Sequence, residues 1–286
     1  MLRTPLVLIT LAFLGCSHRP GGGDAGPESD AGADAGTDGG VNAGRDAGLR
    51  QSLAHAHNDY RHVRPLLDAL EQGFTSVEAD VFLRDGGIIV SHDAKDIAGE
   101  LGALYLQPLA ERVQATGSVY GDGGVFYLWI DLKESTQALQ DALAARLSQE
   151  SDLTTFEDDG GVTLRPVTVI LTGNGVAKKA LVARPGPRPF IRDDVLAVGD
   201  PPADNRWGYY AISYLNRIGW DGKGTIPEAD RNILQGLIEA AHRTGRKIRI
   251  YDSPDTVPYW TVAQELGLDF INADDLAGLS AFLAQP

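Results

Sequence analysis

The chain has 286 residues, enough for one large domain or two small ones. Its formal net charge of −14 argues against nucleic acid as the ordinary partner, because phosphate backbones call for basic surfaces. A single cysteine, Cys16, excludes an intrachain disulfide.

The N-terminus reads as an export signal over residues 1–16. A short charged start at Met1–Arg3 leads into an apolar run over 5–14, too short to span a bilayer. Gly15-Cys16 at its end resembles a bacterial lipoprotein signal, which implies cleavage before Cys16 and acylation of its thiol. Ser17 follows the cysteine, so an outer-membrane or cell-surface anchor is the expected location. Residues 17–49 change character, with Asp-Ala-Gly at 24–26, 30–32, 34–36 and 46–48 and almost no apolar side chains. Such a segment cannot offset its own ordering entropy and reads as a flexible tether rich in Gly, Ala and Asp.

Residues 50–286 read as one folded domain. Strands are predicted near 51–57, 75–82 with a hairpin-like extension over 87–92, 126–132, 167–172, 195–199, 209–214, 247–252 and 269–273. Helical spacing appears between most of them: Leu66, Leu67 and Leu70 before Gly73; Leu139, Leu143 and Leu147; Leu234, Leu237, Ile238 and Ala241 before Gly245; and Val262 with Leu266 before Gly267. The stretch 173–207, rich in Pro and Gly, shows no periodicity. Alternating strands and helices with about eight strands indicate an α/β fold, a (β/α)8 TIM barrel. A doubly wound sheet would place a glycine fingerprint after its first strand, and His55-Ala-His57-Asn58-Asp59 is unlike one.

The polar residues fall at the carboxyl ends of the first three strands, where barrels carry their chemistry. Glu78 and Asp80 lie two apart, so a strand points both the same way, as it does Asp131 and Lys133. Carboxylates buried without partners are costly, and a divalent cation resolves that. Glu78, Asp80 and Asp131 are hard oxygen donors suited to Mg²⁺ or Ca²⁺. His57 and His92 are the candidate proton carriers; His55 is a supporting residue, and Asp93 beside His92 is expected to fix its tautomer. Asn58, Lys133, Arg249 and Tyr251 are candidate substrate contacts at the mouth.

These residues resemble the PLC-like phosphodiesterase superfamily, which joins glycerophosphodiester phosphodiesterases and phosphatidylinositol phospholipases C. The run His57-Asn58-Asp59-Tyr60 with Ser76-Val-Glu78-Ala-Asp80-Val81 is similar to the branch called altered inheritance of mitochondria protein 6. So are Leu-Tyr-Leu-Gln-Pro-Leu at 104–109, Leu-Thr-Gly-Asn at 171–174 and Ile-Asn-Ala-Asp-Asp-Leu at 271–276. The resemblance implies a hydrolase that cleaves a small-molecule or lipid-derived phosphodiester. In that reading His57 and His92 act as acid and base, a divalent cation sits on Glu78, Asp80 and Asp131, and Lys133 contacts the phosphate. Glycerophosphodiesterases follow the first histidine with Arg-Gly, where this chain has Asn58-Asp59. A membrane contact through the lipid anchor and a monomeric state are expected. Two alternatives remain open: a metal-independent phospholipase C type with Arg249 replacing the cation, or an inactive lipoprotein that binds an anionic headgroup or sugar phosphate.

Overall fold

The computed structural model describes residues 50–285. The expected signal, the tether and Cys16 lie outside the described residues. Eight strands form the barrel: β1 (Gln51–Ala56), β2 (Phe74–Arg84), β3 (Phe126–Leu132), β4 (Val167–Gly173), β5 (Ile191–Asp194), β6 (Trp207–Ser213), β7 (Lys247–Tyr251) and β8 (Phe270–Ala273). Each is parallel to its neighbours, and β1 pairs with both β8 and β2, which closes the sheet on itself. The (β/α)8 expectation holds.

The two faces of each strand divide the labour. On β2 and β3, Val77, Ala79, Val81, Leu128, Ile130 and Leu132 are buried in the layer between barrel and helices. The opposite face holds Trp129, Ile170, Ile191, Ala211 and Phe270, a separate cluster that fills the barrel interior. Trp129 and Phe270 meet edge to face at 5.4 Å, as do Tyr127 and Phe270 at 5.2 Å. This aromatic plug closes the lower barrel, so polar inward residues collect above it.

The helices are α1 (Leu67–Glu71), α2 (Gln107–Thr116), α3 (Gln137–Leu147), α4 (Gly175–Val182), α5 (Glu228–Arg243), α6 (Val257–Glu265) and α7 (Leu276–Leu283). Leu139, Leu143 and Leu147 of α3 share one buried stripe, each worth about 1.5–3 kcal/mol when fully buried. The helix begins where Thr136 accepts a hydrogen bond from the Leu139 amide. After β2 the chain makes an antiparallel hairpin through Gly87–Val90, and the Ser91 amide donates to the Asp80 carbonyl at 3.0 Å. That bond sets His92 above the end of β2.

The structure corrects the reading of 173–207. No strand forms at 195–199; β5 lies earlier, at Ile191–Asp194, where two acids in four residues hide the strand pattern. α4 occupies part of the stretch read as irregular, started by the Asn174 side chain, which accepts from the Val176 and Ala177 amides at 3.1 Å. Among the described residues no helix joins β5 to β6. The buried Arg246 guanidinium instead pins that proline-rich connection through the carbonyls of Pro201, Pro202 and Trp207.

Candidate active site

Strand alternation sends Ser76, Glu78 and Asp80 of β2 into the barrel, one above the next. Register then sets Asp131 of β3 beside Asp80, and Gly173 ends β4 next to them. One oxygen from each of Glu78, Asp80 and Asp131 lies within 4.8 Å of the others. The second oxygens are engaged. Arg249 Nη2 donates to Glu78 Oε1 at 2.9 Å, and Lys133 Nζ reaches Asp80 Oδ2 at 2.8 Å and Asp131 Oδ2 at 3.0 Å. Glu78 Oε2, Asp80 Oδ1 and Asp131 Oδ1 are buried without hydrogen-bond partners among the described residues.

Three hard oxygens converging without donors fit a divalent cation, and nothing else in the local sequence explains leaving them bare. Burial, followed by the charge of Glu78, pushes the Asp131 carboxyl up to about 6. Gly173 at φ +75° belongs to this arrangement, since a Cβ there would come within 1.8 Å of Asp131 Oδ1.

Beneath the acids lies a buried relay. His55 Nδ1 meets Ser76 Oγ at 2.7 Å, and Trp129 Nε1 donates to the same oxygen at 3.0 Å. Arg249 Nη1 lies 2.8 Å from His55 Nε2. A guanidinium cannot accept, so Nε2 carries the lone pair and Nδ1 the proton. Burial holds the His55 pKa down at about 3, so the ring is neutral. Arg249 is thereby fixed from below while it grips Glu78. Burial alone would raise the Glu78 pKa, yet Arg249 holds it well below the usual carboxylate range.

His57 and His92 stand on either side of the acids, each with one nitrogen tied to a carboxylate. His57 Nδ1 pairs with Asp274 Oδ1 at 3.0 Å, and its Nε2 lies 3.9 Å from Glu78 Oε2. Burial pulls the His57 pKa down, but the Asp274 hydrogen bond and the Glu78 charge outweigh it, and the net shift is upward. His92 Nδ1 lies 3.1 Å from Asp80 Oδ2, leaving Nε2 for the cavity that the ring lines. Tyr60 Oη lies 2.8 Å from the same carboxylate oxygen and 2.9 Å from Asn58 Oδ1, and the Asn58 amide covers the His57 ring at 3.1 Å.

The resulting cavity is about 470 Å³. Its far wall carries Lys178 of α4 ion-paired to Asp193 of β5, and Tyr251 and Arg61 complete the rim. The residues singled out in the sequence, apart from Cys16 and Asp93, therefore meet at one site. Two expectations change in detail. Asp93 does not orient His92; it accepts the amides of Lys95 and Asp96, and Asp80 takes the orienting role because the hairpin carries the ring back over β2. Arg249 lines the cavity, but its Nη1 and Nη2 are engaged by His55 and Glu78. Sequence reasoning missed Asp274, although it follows β8 directly, as well as Tyr60, Ser76 and the Lys178–Asp193 pair.

Residues 47–188 match the AIM6-like phosphodiesterase domain. The chain is 30% identical over 267 residues to altered inheritance of mitochondria protein 6 of Eremothecium gossypii, covering 80% of this chain and 68% of that protein. It is 32% identical to the protein of the same name from Lachancea thermotolerans, over 78% of this chain and 63% of that one. A homolog from Arthroderma benhamiae is 26% identical over 78% of this chain and 81% of its own length. Among solved structures, a glycerophosphodiester phosphodiesterase from Agrobacterium tumefaciens str. C58 is similar over 82% of this chain and 100% of that one, at 17% identity and a TM-score of 0.47.

Proposed function

This chain belongs to the AIM6-like phosphodiesterase family and is a phosphodiesterase, and we propose that it hydrolyses its diester with a divalent cation held by Glu78, Asp80 and Asp131. The observation that carries this reading is the set of three buried carboxylate oxygens, one per acid, that lack donors. When bound, Mg²⁺ or Ca²⁺ supplies positive charge that polarises a phosphoryl oxygen and offsets charge developing in the transition state.

The chain's own residues do the rest. Arg249 fixes the Glu78 carboxylate, and Lys133 does the same for Asp80 and Asp131 while adding a compact charge beside the phosphate. One of His57 and His92 removes a proton from the nucleophile, and the other delivers one to the leaving oxygen. Asp274 and Asp80 hold the two rings in orientation, and Asp274 favours the imidazolium form of His57. Asn58 and Tyr60 keep His57 and Asp80 in register. Arg249 supports this reading over a metal-independent one, because its Nη1 and Nη2 are already engaged by His55 and Glu78.

Dialysis against a chelator and assay on bis-(p-nitrophenyl) phosphate tests the proposal. Activity that disappears and returns with Mg²⁺ or Ca²⁺ supports it, and undiminished activity in the chelated protein refutes it. The substrate class we propose is a small-molecule or lipid-derived diester, and a polar cavity of about 470 Å³ supports it. We place the enzyme at the outer membrane or cell surface, as a monomer anchored through acylated Cys16. Cys16→Ser should leave the membrane fraction and retain its activity in solution; persistence in the membrane pellet would refute the anchor.

A further inference from the structure

A second cavity, of about 260 Å³, shares His57 and Asp252 with the catalytic cavity and contains none of the three acids. Its buried wall is Asn272 of β8. Asn272 stands in register with His55 of β1, so it points into the barrel as His55 does. The side chain is 4% exposed, and neither Oδ1 nor Nδ2 has a hydrogen-bond partner among the described residues. A buried amide left bare on both atoms weakens a fold, which makes it a feature kept for something other than the fold.

The rim determines what the amide could receive. Asp252, Asp255 and Asp274 surround the opening, and no Lys or Arg lines it. Each acid is fixed through one oxygen: Asp252 by the Ser213 hydroxyl at 2.9 Å, Asp255 by the Asp274 and Asp275 amides at 2.9 and 2.6 Å, and Asp274 by His57 at 3.0 Å. A second anion would face three carboxylates. A hydrocarbon would leave Asn272 bare. A hydroxyl donates and accepts, so it satisfies Asn272 on both atoms. Such an arm can replace the water that a polar cavity of this size admits.

We propose that Asn272 forms a subsite for one alcohol arm of the diester and selects a hydroxylated, uncharged arm over an anionic or hydrocarbon one. The proposal rests on the phosphodiesterase reading for its place beside His57, but its test reads binding alone.

The probes are three phosphomonoesters of similar length: 2-hydroxyethyl phosphate, propyl phosphate and phosphoglycolate. Each is titrated calorimetrically into the full chain in one buffer containing Mg²⁺. The wild type should bind the hydroxyethyl ester at least about tenfold more tightly than the other two, because a hydrogen-bonding pocket rejects analogues that leave it unpaired. In Asn272→Leu the preference over the propyl ester should shrink to within about twofold, with the melting temperature unchanged or higher, since Leu keeps the branched outline of Asn and removes a bare amide.

Equal wild-type affinities, or no binding of the hydroxyethyl ester, overturn the subsite without reference to any variant. A preference that survives in Asn272→Leu overturns it as well, and a lowered melting temperature shows that the amide serves the fold. Loss of the phosphodiesterase reading would look different: no turnover of any diester, with the binding preference intact.

Discussion

Arg249 Nη2 donates to Glu78 Oε1 across 2.9 Å of the barrel interior, joining β7 to β2 directly beneath the acid cluster. Both side chains are almost fully buried, so neither charge has water to fall back on. The pair leaves Glu78 Oε2 without a hydrogen-bond partner among the described residues, which makes Arg249 the residue that frees this oxygen for a cation.

Arg249→Met should therefore destabilise the protein by about 3–5 kcal/mol, the usual result of stranding one member of a buried ion pair. Added Mg²⁺ or Ca²⁺ should recover part of that loss by giving Glu78 another counter-charge. Urea unfolding with and without the cation measures both effects. A stability equal to wild type would show that the pair does not hold Glu78.

His57→Ala and His92→Ala should each lower kcat at least about a hundredfold on an alkyl diester. p-Nitrophenolate departs without a proton, so on bis-(p-nitrophenyl) phosphate the acid's replacement should matter far less than the base's. Comparing the two substrates assigns the roles. Near-full activity of either variant on the alkyl diester would remove that histidine from the mechanism.

Asp274→Asn should lower the pKa of His57. Burial already pulls that value down, and the Asp274 hydrogen bond is the largest opposing influence. A histidine raised in the folded state contributes stability below its unfolded pKa of about 6.5 and loses it as pH rises through the folded value. The wild type should thus exceed Asp274→Asn in melting temperature by more at pH 5.5 than at pH 8.5. NMR titration of the imidazole follows the same shift directly, and an unchanged His57 titration contradicts it.

Asp131 works in the opposite sense. Its carboxyl is raised from 3.8 to about 6, so without a cation the folded protein binds a proton there that the unfolded chain has already released. Stability from this group declines as pH climbs between those values. In chelated protein, Asp131→Asn should gain on the wild type across that interval and level off above it, and thermal melts at several pH values read the difference. A flat difference would mean that Asp131 is not forced to carry its charge among Glu78 and Asp80.

Much of this was legible in the sequence because strand periodicity and barrel topology together fix where a side chain points. Glu78, Asp80 and Asp131 could be placed on one inward face from spacing alone. His57 and His92 could be placed near them from the ends of apolar runs. What escaped depended on pairing across the barrel. Asp274 is 217 residues from His57, and Arg249 is 171 from Glu78. β5 escaped because Arg192, Asp193 and Asp194 give it no apolar run, although β4 and β6 supply its neighbours. Adjacency in sequence points to Asp93 as the partner of His92, and the hairpin that folds His92 back over β2 gives that place to Asp80.

The most direct measurement is calorimetric titration of Mg²⁺, Ca²⁺ and Mn²⁺ into chelated wild-type protein, beside Glu78→Gln and Asp131→Asn. The account predicts one site per chain in the wild type and at least about tenfold weaker binding in each variant, because each removes one of three charged oxygens from the shell. Absence of a site in the wild type, or affinities unchanged in both variants, would contradict the claim that these acids exist to hold a cation.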